Sequence, residues 1–465
     1  MECTEQQQAV LDIVTSKKEE IVLVDAKAGT GKTATAKTIV STIKPKRGLY
    51  TAFNKAIVTE GVETFDKTNM ECKTLHALAL FYVQPKLGIE PFTYLCIKES
   101  LSYPQKAKII KAIDEFYRSS SVDAAEFLME ILDGDEGLAE TAYKYVEAMF
   151  EDTMPVTFNY LLKHFHLLLH EGQIPTQYDL VILDEIQDST AVALEIFKLL
   201  EAPYKVGLGD QFQSIYGFMN LVNGFEILAN VATILPLSKT FRCSTLIASN
   251  VELYCQKHLS DDFTFEGIDN PVHDGKTGYI TATNAMIIHR IIELHKEGRG
   301  YVLTRPLKEI FACPLALVTA AAGKKVMHKQ YKFLDREFVN YKRKPKGTFY
   351  EYLNKETKDE EIKSSVGLLM HLNDLNINIF DVLSKAKIAK KDKNTMVGTF
   401  YSLKGLGFET VYIEDDINKA VKTAIEAKLD PAVEMTDAHL TNIKGGYVAA
   451  TRARVNLLNA KFLKY

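Results

Sequence analysis

Residues 21–33 read IVLVDAKAGTGKT. The opening IVLVD is an apolar run closed by an acid, the pattern of a strand buried on both faces. The glycine-rich turn that follows leads into a helical pattern from Lys32 to about Ile43, and GLYTAF (48–53) reads as the next strand. Strand, turn, helix, strand is β-α-β spacing, which implies a parallel sheet. A glycine-rich turn in that place lets backbone N–H groups converge on phosphate oxygens at a helix N-terminus. Ala28, Gly29, Thr30 and Gly31 are the candidate lining of the turn. Lys32 is placed to reach the terminal phosphates of a nucleotide, and Thr33 to hold Mg²⁺. Ala26 stands where the usual pattern has its first glycine.

The same logic extends along the chain. Residues 4–16 read as a short helix, with Thr4 and Gln7 spaced as a capping box. LVILD (180–184) and YKVGL (204–208) are further buried strands, while helical periodicity replaces strand signals from about 85 to 170. Farther on, YITAT (279–283), YVLT (301–304), KVMH (325–328), MVGTF (396–400) and TVYI (410–413) are candidate strands. The expected fold class is α/β, with two parallel-sheet domains that each carry a mostly helical insertion. The expected first domain is 1–85 with 171–245, interrupted by an insertion at 86–170. The expected second domain is 246–339 with 395–465, interrupted by a smaller insertion at 340–394.

Bulk properties bound the function. The chain has 465 residues, 46% of them hydrophobic and 25% charged, as in ordinary globular proteins. Its net charge of −4 advertises no global field for nucleic acid, although a local basic face is compatible with it. Its six cysteines form no C-x-x-C pair, which reads as a reduced, intracellular protein. The N-terminus MECTEQQQAV has no basic segment followed by an apolar core, so no secretory signal is expected. No apolar run approaches a membrane span, so no membrane partner is expected.

Three more stretches carry chemistry. In VILDEIQD (181–188), Asp184 and Glu185 stand at the end of a buried strand. Two adjacent carboxylates are costly to desolvate unless a cation or a substrate proton uses them. Asp184 is therefore the candidate Mg²⁺ ligand and Glu185 the candidate base for an attacking water. A nucleotide kinase has no need of such a base, so the pair favours hydrolysis. Arg242 in SKTFRCS and Arg452 in GGYVAATRAR are candidate cations for a γ-phosphate. Finally, GDQFQSIYGF (209–218) places glutamine amides and two aromatic rings in one loop after a strand. Amides suit polar readout, and rings suit stacking.

The order of these motifs resembles the UvrD/Rep-like branch of the superfamily 1 helicases, and among them its small F-box-helicase-like and phage-type members. The resemblance runs from TEQQQAV (4–10) to YVAATRA (447–453) and says little about 86–170 and 330–395. It implies two RecA-like domains of the P-loop NTPase kind, with ATP and Mg²⁺ as cofactors. It further implies 3′→5′ movement on single-stranded DNA, with hydrolysis coupled to strand separation. Single-stranded DNA and ss/ds junctions are the implied partners, and replication or recombination proteins the candidate protein partners. The implied location is cytoplasmic in a bacterial or phage-infected cell, or nuclear, and not secreted. A translocase that strips proteins from DNA without processive unwinding, and a nucleotide-gated DNA-binding scaffold, are the rival readings.

By the same resemblance, Gln6 matches an adenine-reading glutamine and Phe241 an aromatic that stacks on adenine. Gln213, Arg242 and Arg452 match groups that meet the γ-phosphate, and Gly405 falls in a nucleotide-contacting motif. TAFNKA (51–56) and KTLHALA (73–79) match DNA-contact motifs through Phe53, Asn54, Thr74 and His76. Tyr216 and Phe218 match the rings on which a base of single-stranded DNA stacks. Arg305 in VLTRP and Tyr401 in TFYSLKGLGFETV (399–411) match second-domain DNA motifs. The chain departs from the family at Met219, Asn220 and Leu221, where Arg-Gly-Ala is usual. It departs again at Tyr401 for a His, at Gly407 for a Glu, and at Lys27 for a small residue.

Two weaker signals have bland alternatives. Residues 324–346 hold nine Lys/Arg against two acids, which fits either a phosphate-backbone track or the solvated face of an ordinary strand and helix. His164, His166 and His170 read as core or surface histidines, because no cysteine joins them and only the last two share a helical face.

Overall fold

The computed structural model describes the chain except residues 1–2, 17–19, 53, 220 and 344 and the side chain of Phe218. The expectations for Phe53, Asn220 and the Phe218 ring therefore lie outside the described residues. The chain divides into two compact units, Met1–Ser238 and Lys239–Tyr465.

The first unit is built on a six-stranded sheet in the order β3-β2-β4-β5-β1-β6. The strands are β1 (Ile21–Ala26), β2 (Gly48–Ala52), β3 (Met70–Thr74), β4 (Leu180–Asp184), β5 (Tyr204–Gly209) and β6 (Ala232–Leu237). All of their pairings are parallel. The central strands β1, β2 and β4 are buried along their whole length, which is why they read as unbroken apolar runs. Edge strand β6 tolerates Pro236, since an edge position does not need every N–H. The helix Glu5–Ser16 starts with the expected capping box: Gln7 N donates to Thr4 Oγ1 and Thr4 N to Gln7 Oε1, both at 3.1 Å.

Alternate strand residues face opposite cores. Val22, Val24, Tyr50 and Ile182 pack with Ile39 and Val40 of the helix Lys32–Ile43. Leu23, Leu49, Val181 and Leu183 point into the other core. That core continues without a break into Phe116, Tyr160 and Phe165 of the helices Tyr103–Arg118 and Phe158–His170. The helical stretch after residue 85 therefore shares its hydrophobic core with the sheet.

The second unit repeats the architecture. It contains β7 (Lys239–Ser244), β8 (Glu266–Ile268), β9 (Thr277–Thr281), β10 (Val302–Leu303), β11 (Thr395–Thr399), β12 (Phe408–Ile413) and β13 (Ala453–Leu458). A five-stranded parallel sheet runs β10-β11-β9-β12-β13, and β7 pairs with β8 apart from it. One core joins Tyr279 and Val397 of the sheet to Leu317, Leu334, Leu369 and Val382 of the helices between residues 307 and 387.

Two strand expectations need correction. KVMH (325–328) forms no strand. Gly323, at φ 69°, ends the preceding helix, and Val326 gives its N–H to Asp335 Oδ1 at 2.9 Å. A side chain thus takes the bond that a neighbouring strand would need. YVLT (301–304) shortens to Val302–Leu303 at the sheet edge.

Candidate nucleotide site and strand-binding loops

Strand register brings the first unit's motifs together. Asp25 of β1 pairs with Gly209 of β5, and Asp184 of β4 pairs with Leu208. The loops after β1, β4 and β5 therefore leave one edge of the sheet side by side, where ligands of parallel sheets bind. Gly29 (φ 76°) and Gly31 (φ 88°) adopt left-handed backbone that any other residue would strain to reach. The helix Lys32–Ile43 begins at Gly31 with no side-chain cap, so its first N–H groups point into the turn without a competing acceptor from that position.

Lys32 Nζ lies 3.0 Å from Asp184 Oδ1 and also forms an ion pair with Glu185. Burial lowers the proton affinity of Lys32, but the two carboxylates more than reverse this and hold the ammonium charged. Asp184 accepts two further hydrogen bonds, from Glu185 N at 2.8 Å and from the Tyr50 hydroxyl. Burial, then the Asp184 charge, pushes the Tyr50 hydroxyl far above its ordinary pKa, so it stays a donor. Gly61 makes room for the Tyr50 ring, since a Cβ there would lie 2.5 Å from it. Glu185 itself sits at φ 54°, in the sparsely used left-handed region, so the turn after β4 is strained at the candidate base.

A relay of side chains leads from this acid pair to the GDQFQSIYGF loop. The buried Gln187 donates its amide to Glu185 and accepts the Asp210 N–H at 3.1 Å. Asp210 accepts from Gln213 Nε2 at 2.6 Å and from Phe212 N at 3.1 Å. A second connection starts inside the phosphate loop. Lys27 is buried, ion-paired with Asp25, and 4.3 Å above the Phe212 ring centre. Asp25 also accepts from Gln211 Nε2 at 2.7 Å. Lys27, a departure in sequence, is thus a buried strut between the two loops. Tyr50, Gln187 and the Lys27–Asp25 pair are the groups that sequence reasoning missed. Only Gln187, inside DEIQD, carried a local signal.

The other first-unit candidates are placed as follows. Ala28 and Thr30 are buried in the turn and Thr33 is exposed at the helix start. The Gln6 amide engages Ser238 at both ends, donating to Oγ at 2.8 Å and accepting from N at 2.9 Å. Asn54, after β2, and Thr74, the last residue of β3, are helix N-caps; Asn54 Oδ1 accepts from Ala56 N at 2.8 Å and Thr74 Oγ1 from Ala77 N at 3.1 Å. Both expected contact motifs therefore end in helix N-termini, which suit phosphates. His76 packs edge-on against Phe158, with centroids 6.3 Å apart. Tyr216 is half-buried, and its carbonyl accepts from Met219 N at 2.9 Å.

In the second unit, Phe241 is 42% exposed, which leaves its ring available for stacking. Arg242 Nη1 reaches Thr451 O at 3.4 Å, and burial lowers its pKa. Arg452 is buried and gives Nε to Val448 O at 2.9 Å, Nη1 to Leu406 O at 3.3 Å and Nη2 to Thr451 Oγ1 at 3.1 Å. Gly407 lies between two guanidiniums: a Cβ there would be 3.4 Å from Nε of both Arg242 and Arg454. Arg454, absent from the sequence reading, thus joins this cationic cluster and is itself paired with Asp274 at 2.7 Å. Gly405 turns at φ 87°. Arg305 pairs with Glu309 at 3.1 Å, and Tyr401 packs against Phe400 with centroids 4.0 Å apart.

The donor set beside the phosphate loop fits a hard divalent cation: the Thr33 hydroxyl and the Asp184 carboxylate are oxygen ligands of the kind Mg²⁺ takes while keeping waters. Among the described residues no cluster of three His, Cys, Asp or Glu forms a metal cage, and no helix is long and apolar enough to cross a membrane.

A phosphate-loop lysine clasped by two carboxylates, at the carboxyl edge of a parallel sheet, defines an α/β protein of the P-loop nucleotide-binding class. Residues 6–219 match the family model of an AAA domain. The chain is 23% identical, over 522 residues, to F-box DNA helicase 1 of Gallus gallus; the match covers 99% of the chain and 49% of that relative. The chain thus spans about half the length of this relative. Both matches are similarities to superfamily 1 helicase-like proteins.

Proposed function

We propose that the protein is an ATP- and Mg²⁺-dependent DNA translocase and helicase that moves 3′→5′ on single-stranded DNA. The observation that carries this reading is the side-chain relay Lys32–Glu185–Gln187–Asp210–Gln213. It ties the phosphate loop to the loop that bears Tyr216 and Phe218. Lys32 receives the terminal phosphates and releases Glu185, which accepts a proton from the attacking water. Gln213 is held by Asp210, so a shift at the γ-phosphate is passed to Tyr216 and Phe218, three and five residues farther on. Thr33 and Asp184 would hold Mg²⁺, which would supply charge to neutralise the phosphates. Base stacking contributes ~1–3 kcal/mol per base regardless of sequence, as a translocating motor needs. The arginines Arg242 and Arg452 supply cations late in the reaction.

The deciding experiment is ATPase turnover with and without single-stranded DNA. Turnover stimulated by DNA is expected, with Lys32→Ala inactive and Glu185→Gln binding ATP without hydrolysing it. Phe218→Ala is expected to lower the stimulated rate more than the basal rate. Normal DNA-stimulated turnover in all three variants would sink the assignment. A strand-displacement assay beside a translocation assay separates unwinding from protein stripping.

A further inference from the structure

The loop from Gly209 to Val222 contains no lysine or arginine, although it ends in the aromatic residues expected to meet DNA. The cation at this loop comes from elsewhere. Arg118, the last residue of the helix Tyr103–Arg118, donates Nη1 to the Met219 carbonyl at 2.9 Å. Its Nε is held by Asp114 at 3.0 Å, and Asp114 is in turn anchored by Asn159 Nδ2 at 2.6 Å. Both Asp114 oxygens are therefore committed, and the guanidinium is fixed on two sides. Nη2 has no hydrogen-bond partner among the described residues, and about a third of the side chain (31%) faces solvent.

The surroundings suit a single strand. Phe158, beside Asn159, is 62% exposed and turns its ring edge-on to His76. Phe81 is 60% exposed and has Lys73 Nζ 5.4 Å from its centre. His76 titrates low, chiefly through burial; an Asn159 hydrogen bond opposes this and the nearby Arg118 charge adds to it. An unprotonated His76 leaves Arg118 as the fixed cation of the cluster. Cation, exposed rings and helix N-termini together are the components of a sequence-tolerant groove for a single strand.

We infer that Arg118 binds a backbone phosphate of single-stranded DNA where the helical insertion meets the Met219 loop, with Phe158 as an adjoining stacking surface. This assigns the insertion a share of the strand path and rests on the DNA-translocase reading above. A preformed guanidinium loses little side-chain freedom on contact, which favours Arg over a flexible Lys here.

The test is equilibrium binding of a labelled oligodeoxythymidine to the full chain across a salt series. Arg118→Gln is expected to weaken binding about fivefold near 0.1 M salt. It should also flatten the slope of log affinity against log salt by ~0.7, the release expected of one single-strand phosphate. Arg118→Lys should keep the slope and most of the affinity, and Lys144→Gln, a remote cation paired with Glu99, should change neither. Phe158→Ala should weaken binding with the slope unchanged. Thermal midpoints of the variants establish that each is folded. Weaker binding of Arg118→Gln at wild-type slope would reassign the residue to holding the loop and overturn the phosphate contact. Wild-type affinity and slope in that variant would overturn it as well, while the function proposed above would stand. A wild-type chain without affinity for the oligonucleotide overturns both.

Discussion

The ammonium of Lys27 lies 4.3 Å from the centre of the Phe212 ring. One residue belongs to the phosphate loop and the other to the turn that carries Gln213. Their contact, closed by the buried Asp25, is a second strut beside the Gln187 relay.

Removing that charge tests the strut. Lys27→Met leaves Asp25 buried without its cation, a change that costs about 3–5 kcal/mol of stability. The double variant Asp25→Asn/Lys27→Met should recover most of it, because no lone charge remains. In both, kcat for ATP should fall about tenfold while KM stays within about twofold, as expected when positioning rather than binding is lost. Steady-state kinetics and denaturant unfolding check the two halves; an unchanged kcat in the double variant would dismiss the strut.

Gln187 and Gly209 should behave as one unit. Gln187→Leu deprives Asp210 N of its acceptor, which costs about 1–3 kcal/mol. Gly209→Ala would bring a Cβ to 2.2 Å from Gln187 Oε1 and push the amide out of place. Each single variant should lose more than about tenfold in kcat, and the double variant should be no slower than the slower single one. Multiplying losses would show two independent defects.

Lys163 makes a prediction about pH. It is fully buried, donates to Ser119 O and Ser121 O at 2.7 Å each, and lies over the Phe116 ring. Burial, partly opposed by Glu195, lowers its pKa to about 7. The unfolded chain keeps this proton up to the ordinary lysine range, so between pH 7 and about 10 the unfolded state binds more protons. Stability from this group therefore rises with pH across that window. The stability difference between wild type and Lys163→Met should shift in favour of wild type by roughly 2 kcal/mol from pH 7 to pH 9. Denaturant unfolding at the two pH values measures it, and a flat difference would contradict it.

The parts of this protein that the sequence determined are those set within a few residues. The apolar run of β1, the left-handed glycines after it, the Asp184–Glu185 pair and the Thr4–Gln7 capping box all follow from neighbouring residues. So does the α/β class, since β-α-β spacing leaves few topologies. KVMH misled because an acid nine positions on, Asp335, takes the Val326 N–H. Tertiary structure alone decided which distant loops meet. Lys32 and Glu185 are 153 residues apart, Asp25 and Gln211 186, and Arg118 and Met219 101. Those contacts exist because strand order puts β1 and β4 on either side of β5 and packs the helical insertion on the same core. Strand order and shared burial are properties of the whole folded chain, and no local pattern of residues encodes them.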